Sequence, residues 1–228
     1  MIPIKDDNPT RTVPFVTVFL IILNCIIYFY QMILPQELGQ LLVLKYGVVP
    51  YEIIHLIDVR PEIPIPVFLT IITSQFLHGS IIHLGGNMLY LWIFGNNIED
   101  IMGHFRFLLF YLICGALAAT AHIITQPGST VPTIGASGAI SGVLGAYLLK
   151  FPRARVLVVF WFFFFIRLIK VPALIVLGFW IFVQIWSGVI SMGSTGGGIA
   201  WFAHIGGFLA GLILVKLFER RKLRWKFR

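Results

Sequence analysis

Two short stretches carry the residue types that covalent catalysis needs. "GASGAISG" (135–142) holds Ser137 among small residues, and "AHIGGFLAG" (203–211) holds His204. A serine hydroxyl is a weak nucleophile until a base within hydrogen-bond reach takes its proton, and an imidazole can do that. A third stretch, "HGSIIHLGGN" (78–87), places His83 and Asn87 four residues apart, which on a helix puts both on one face. Both are hydrogen-bond donors of the kind that hold an oxyanion. An acid to orient the histidine is missing, because no Asp or Glu occurs between Asp100 and Glu219. The expected unit is therefore a Ser137–His204 dyad rather than a triad. His78, His122 and Ser141 read as structural polar groups, and Gln184 has no evident placement.

The elements that must position these groups are membrane spans. Hydrophobic residues make up 58% of the 228-residue chain and charged residues only 11%, against about 25% charged in soluble domains. Six spans are expected in one domain over 1–228: 13–34, 81–97, 104–125, 136–150, 171–189 and 200–218. The fold class is thus an all-α polytopic bundle of six transmembrane helices. The formal charge of +8 resides at the two ends and around Arg153 and Arg155. That distribution flanks apolar runs instead of building a nucleic-acid groove, so lipid bilayer is the expected surroundings and nucleic acid is not a partner. By the same rule both termini are expected to be cytoplasmic in a prokaryotic cell membrane, with the active site opening to the outer face. The segment 156–170 is very apolar but short and bounded by Arg153, Arg155, Arg167 and Lys170, and it reads as an interfacial helix or a helical extension. Cys25 and Cys114 lie far apart inside apolar runs and are expected to be free thiols. No metal-ligand pattern is present in the sequence.

The fourth span is short. "GASGAISGVLGAYLL" makes about 22 Å of helix, against a hydrocarbon core of about 30 Å. Its small residues offer little to lipid and suit the centre of a bundle. Gly138 and Gly142 on this span, with Ala203, Gly207 and Gly211 on the sixth, form small-xxx-small rows that allow close backbone approach. Such an approach brings Ser137 and His204 to similar depth. The amides at the start of the fourth span would add to the oxyanion donors.

These motifs, in this order and on these spans, resemble the rhomboid family of intramembrane serine proteases. The matching residues are "HGSIIHLGGN" followed by "FGNNIED", "GASGAISG" and "AHIGGFLAG", and the resemblance runs from about Pro66 to Gly211. It implies Ser137 as nucleophile, His204 as general base, His83 and Asn87 as the oxyanion pair, and transmembrane segments of other proteins as substrates, without a cofactor. It also implies that His78 and Glu99 support the first loop and helix packing. The chain departs from some relatives at Leu69-Thr70, where they carry Trp-Arg. It departs again at Ser141, where they place an aromatic beneath the histidine. A non-cleaving relative and a transporter are the competing classes; both dyad residues are present, and no charged or repeated mid-membrane element supports transport. The fifth span, with Phe179, Trp180, Phe182 and Trp186 and no small-residue seam, is the expected lateral gate.

Overall fold

The long apolar runs fold as helices, which satisfy their own backbone hydrogen bonds where lipid offers none. The computed structural model describes residues 2–58, 65–162, 165–192 and 199–220. Nine α-helices are described: α1 (Phe15–Ile33), α2 (Gln36–Tyr46), α3 (Pro50–His55), α4 (Thr70–Thr73), α5 (Ile81–Met102), α6 (His104–Thr125), α7 (Ser137–Lys150), α8 (Ala173–Ile190) and α9 (Trp201–Phe218). Three strands join them: β1 (Ile2–Asp6), β2 (Arg155–Phe162) and β3 (Phe165–Pro172). Among the described residues, α1, α6, α8 and α9 are each long and apolar enough to cross a membrane, and the Val67–Phe76 segment with α5 makes a fifth, broken candidate bent by 81°. The 14 residues of α7 fall short of a membrane-spanning length. The architecture is therefore a polytopic helical bundle in which four spans, or five with the bent pair, are identified by length and composition.

α7 occupies the centre. Every residue from Gly138 to Tyr147 is buried, with α6 and α9 packed most closely on it and α5 on a third side. α8 lies further out and meets the bundle mainly through α9. α2 and α3 give the 35–65 loop local structure, and the loop before α7 is tied to it by paired backbone bonds between Val48 and Thr133 (3.1 and 2.8 Å).

The segment 156–170 departs from the expected helix. It forms the antiparallel β2–β3 hairpin, extended by β1 into a three-stranded sheet in the order β1-β2-β3 beside the all-α bundle. Its uniform apolarity hides a period of two: Val156 and Val158 are fully buried, while Arg155 is exposed. Valine and phenylalanine favour extended backbone, and Pro152 and Pro172 bracket the segment against helix continuation.

The sheet gathers the chain at one end of the bundle. Asp7 and Arg155 exchange backbone and side-chain bonds of 2.9 and 2.8 Å. Tyr147 near the end of α7 donates to Asp6 at 2.6 Å. Lys150 pairs with Glu219 after α9. Also at this end, buried Glu99 of α5 accepts from the amides of Val16 and Thr17 at 2.9 and 2.7 Å, capping the positive end of α1. That is a structural task, as the resemblance implied for Glu99. Cys25 and Cys114 are both free. The basic tail beyond Arg220, including Trp225, and most of the "SMGSTGGG" loop lie outside the described residues.

Candidate active site

Ser137 is the first residue of α7, and its position is set by the residue two before it. Gly135 has φ +125°, a conformation that L side chains rarely adopt, and a Cβ there would lie 2.8 Å from the His83 ring. The Gly135 amide donates to the Ser74 carbonyl at 2.9 Å, so the turn into α7 rests on the Val67–Phe76 segment. At the start of a helix the first amides have no intrahelical acceptor, and the Ser137 N–H belongs to that first turn.

His204 lies in the first turn of α9. Close contact of α7 and α9 brings it to the serine, and the contact is backbone on backbone. A Cβ on Gly207 would lie 2.1 Å from the Gly138 carbonyl oxygen, and one on Gly211 would lie 1.9 Å from that of Gly142. The two other expected glycines face partly elsewhere: a Cβ on Gly138 would meet Ala118 of α6 at 2.7 Å, and one on Gly142 would meet Cys114 at 2.4 Å. Gly145, not singled out in the sequence, completes the α7–α9 seam: a Cβ there would lie 2.2 Å from the Phe208 carbonyl oxygen. With the backbones this close, the Ser137 hydroxyl reaches His204, Oγ to Nε2, at 2.8 Å.

The other ring nitrogen is held from α8. His204 Nδ1 lies 2.7 Å from Gln184 Oε1. The ring also has Trp180 and Trp201 as neighbours, with centroids at 5.9 and 6.3 Å. Ser141, which stands where some relatives have an aromatic, donates instead to the Ser137 carbonyl oxygen at 2.6 Å. Gln184 is the contact that sequence reasoning missed. The signal was available: it is the one polar side chain between Ala173 and Trp186, and a buried amide in an apolar helix needs partners.

His83 and Asn87 lie in the first two turns of α5, one above the other and both against Gly135. Ser80 caps this helix, its hydroxyl accepting from the His83 amide at 3.1 Å. Asn87 is buried, and its Nδ2 donates to His78 Nε2 at 2.9 Å. His78 sits in the break before α5 and is itself fixed by Gln31 of α1, whose Oε1 accepts from the His78 amide at 3.2 Å. Gln31 is thus a second contact that the sequence reading did not single out. A cavity of about 690 Å³ opens over Ser137 and His204 and is lined also by His83, Asn87, His122 and Trp180. Among the described residues, no three His, Cys, Asp or Glu side chains converge as metal ligands would.

A helical membrane bundle carrying a hydrogen-bonded Ser–His pair at the floor of a cavity defines a narrow class. A profile of the Rhomboid domain matches residues 67–221, and the chain belongs to the rhomboid family. It is similar to the presenilin-associated rhomboid-like protein, mitochondrial, of Bos taurus, with 36% identity over 89 residues, 38% of this chain and 24% of that protein. Rhomboid protein 1, mitochondrial, of Saccharomyces cerevisiae is 38% identical over 93 residues, 39% of this chain and 27% of its own. Rhomboid protease GluP of Bacillus subtilis is 44% identical over 78 residues, 34% of this chain and 15% of its own. The matched region spans roughly a quarter or less of these relatives' lengths.

These similarities correct one expectation. Most of the relatives are mitochondrial proteins, which overturns the assignment to a prokaryotic cell membrane. The physical reason is that basic flanking residues report the sidedness of spans and not which membrane holds them.

Proposed function

We propose that this chain is an intramembrane serine endopeptidase that cleaves transmembrane segments of other membrane proteins. The observation that carries the reading is the 2.8 Å contact between Ser137 Oγ and His204 Nε2 in a member of the rhomboid family. The bundle crosses the bilayer six times in this reading, with α7 as a short central crossing enclosed by its neighbours.

The reaction follows from the groups in place. A substrate helix leaves lipid at the edge of the bundle and unwinds locally, since a helical peptide bond is shielded from attack. Residues of low helix propensity therefore favour cleavage. The Ser137 hydroxyl gives its proton to His204 Nε2 as Oγ bonds to the scissile carbonyl carbon. The oxyanion takes hydrogen bonds from the Ser137 amide and from His83 and Asn87, Asn87 being held against His78. His204 then protonates the leaving amine, and the acyl-enzyme remains on Ser137. Water from the cavity attacks it with His204 again as base, releasing the second product and restoring the hydroxyl. The residues named account for each proton, so no cofactor enters the scheme.

The decisive experiment is cleavage of a transmembrane reporter by purified protein in detergent. Ser137→Ala should reduce turnover by on the order of 10⁴-fold or more. A fluorophosphonate should label wild type at Ser137, with labelling greatly slowed in His204→Ala. Wild-type turnover in Ser137→Ala would refute the assignment. Probe labelling without reporter cleavage would favour the non-cleaving reading.

A further inference from the structure

The bond from His204 to Gln184 lies outside what a Ser–His dyad requires. Gln184 is only 6% exposed, and it is surrounded in sequence by apolar residues, "FWIFVQIWSG". An amide in that setting has lost water from both its ends, and each end needs a partner. Both ends have one. Nε2 donates to the Trp180 carbonyl oxygen one turn back at 3.2 Å, and Oε1 faces His204 Nδ1 at 2.7 Å.

The first bond determines the second. With the NH₂ group committed to Trp180, only the oxygen is left for the imidazole, and an oxygen can only accept. Nδ1 must therefore carry the proton. A neutral imidazole has a single N–H, so Nε2 is left with its lone pair directed at the Ser137 hydroxyl. A reversed amide would demand the opposite tautomer, with Nε2 protonated and unable to act as a base.

We propose that Gln184 is a positioning residue that holds His204 in its base-competent tautomer and makes that state depend on the seating of α8. The inference rests on the protease reading above. When Ser137 gives its proton to Nε2, the ring becomes cationic and the Nδ1–H bond to Gln184 persists as a stronger, charge-assisted one. No proton passes to the amide. Gln184 thus takes the orienting part of a triad acid without the charge, in a chain that has no acid from residue 101 to 218. Its carrier is α8, whose seam with the bundle is made of side chains. If α8 swings away, the acceptor leaves Nδ1 and the tautomer is no longer fixed.

Gln184→Met keeps length and packing but cannot accept; Gln184→Glu, as the neutral acid, can repeat both bonds. Loss of the acceptor should lower kcat on the transmembrane reporter, and the rate of fluorophosphonate labelling, by roughly 5- to 100-fold. KM should stay within about twofold, because the scissile segment does not need Gln184 to bind. Glu should recover activity to within about fivefold of wild type on the same scale. In ¹⁵N spectra of histidine-labelled protein, Met should shift His204 from the Nδ1–H form towards a mixture. Wild-type kcat in Met, equal loss in Met and Glu, or a rise in KM with kcat intact would each overturn the inference. Ser137→Ala, assayed alongside, separates the two levels. If it still cleaves, the protease reading falls. If it is inactive while Gln184→Met resembles wild type, only the positioning role falls.

Discussion

α7 and α8 both supply a polar group to His204, yet they are held in opposite ways. Ten of the 14 residues of α7 are buried, and its seam with α9 is made where glycines let carbonyl oxygens sit against the opposing chain. α8 buries five of 18 residues, and Phe179, Phe182 and Trp186 are 53, 57 and 61% exposed. Trp180 alone of its large aromatics turns inward, towards His204 and Phe208. Backbone contact leaves no rotamer that can yield, so the helix ends that carry Ser137 and His204 keep a fixed distance. A side-chain seam can open and re-form. The difference teaches that Ser137 and His204, the proposed reacting pair, are built on a backbone seam, while Gln184, the proposed orienting group, rides on a helix held mainly by side chains.

The largest effect that would break this contrast is a single methyl group on the rigid seam. Gly211→Ala puts a Cβ 1.9 Å from the Gly142 carbonyl oxygen, and should destabilise the bundle by about 1–3 kcal/mol with loss of most reporter cleavage. The same substitution in α8, Gly178→Ala, meets nothing within 4 Å. It should leave cleavage unchanged and stabilise by about 0.5–1 kcal/mol through helix propensity. Thermal unfolding in detergent with parallel turnover would test the pair, and equal losses at both sites would end the distinction.

A disulfide sharpens the same comparison from the α8 side. A Cβ at Gly188 would lie 3.4 Å from the Trp201 Cβ, near the Cβ spacing of about 3.8 Å in disulfides. In the double variant Gly188→Cys/Trp201→Cys, oxidation should pin α8 to α9. Oxidised protein should cleave the transmembrane reporter several-fold more slowly than the same protein after reduction, roughly 3- to 30-fold. Fluorophosphonate labelling should differ by less than about twofold, because the seated α8 keeps Gln184 on His204. Equal slowing of both reactions would argue against α8 as the gate.

The smallest effect concerns the far end of α7. Burial holds the Asp6 carboxyl above the usual carboxylate range, although its bond to Tyr147 acts in the opposite sense. A raised value in the folded state means that the fold binds the proton more tightly than the unfolded chain. Stability from this group is therefore fully present in acid and is lost as pH rises through the folded value. Asp6→Asn should flatten the pH dependence of the melting temperature above about pH 4, with activity unaltered. An unchanged profile would show that Asp6 does not contribute there.

Much of this was legible in the sequence. The apolar runs became helices within a few residues of their expected limits, because a lipid-embedded backbone has few alternatives. The sequence also singled out Ser137, His204, His83 and Asn87, the residues found lining one cavity, since polar side chains in apolar runs stand out. Two things were not legible. The 156–170 hairpin was hidden because an unbroken apolar run masks its own period, and its pairing with residues 2–6 is long-range. The role of Gln184 depends on α8 meeting α9 at one depth, which no spacing within either helix encodes. The glycine rows announced close packing, but whether Gly138 faced α6 or α9 required the third dimension.

The link between Tyr147 and Asp6 joins residues 141 positions apart. In the order of synthesis, β1 has no partner until the chain has been made as far as β2, by which time α1, α5, α6 and α7 have all emerged. Contacts of such long range form late, after loop closure has already been met by the helices between them. The sheet therefore acts in time as well as in space: β1 is clasped only by a chain in which α7 has already been made, and α8 and α9 follow onto a bundle whose near end can already be closed.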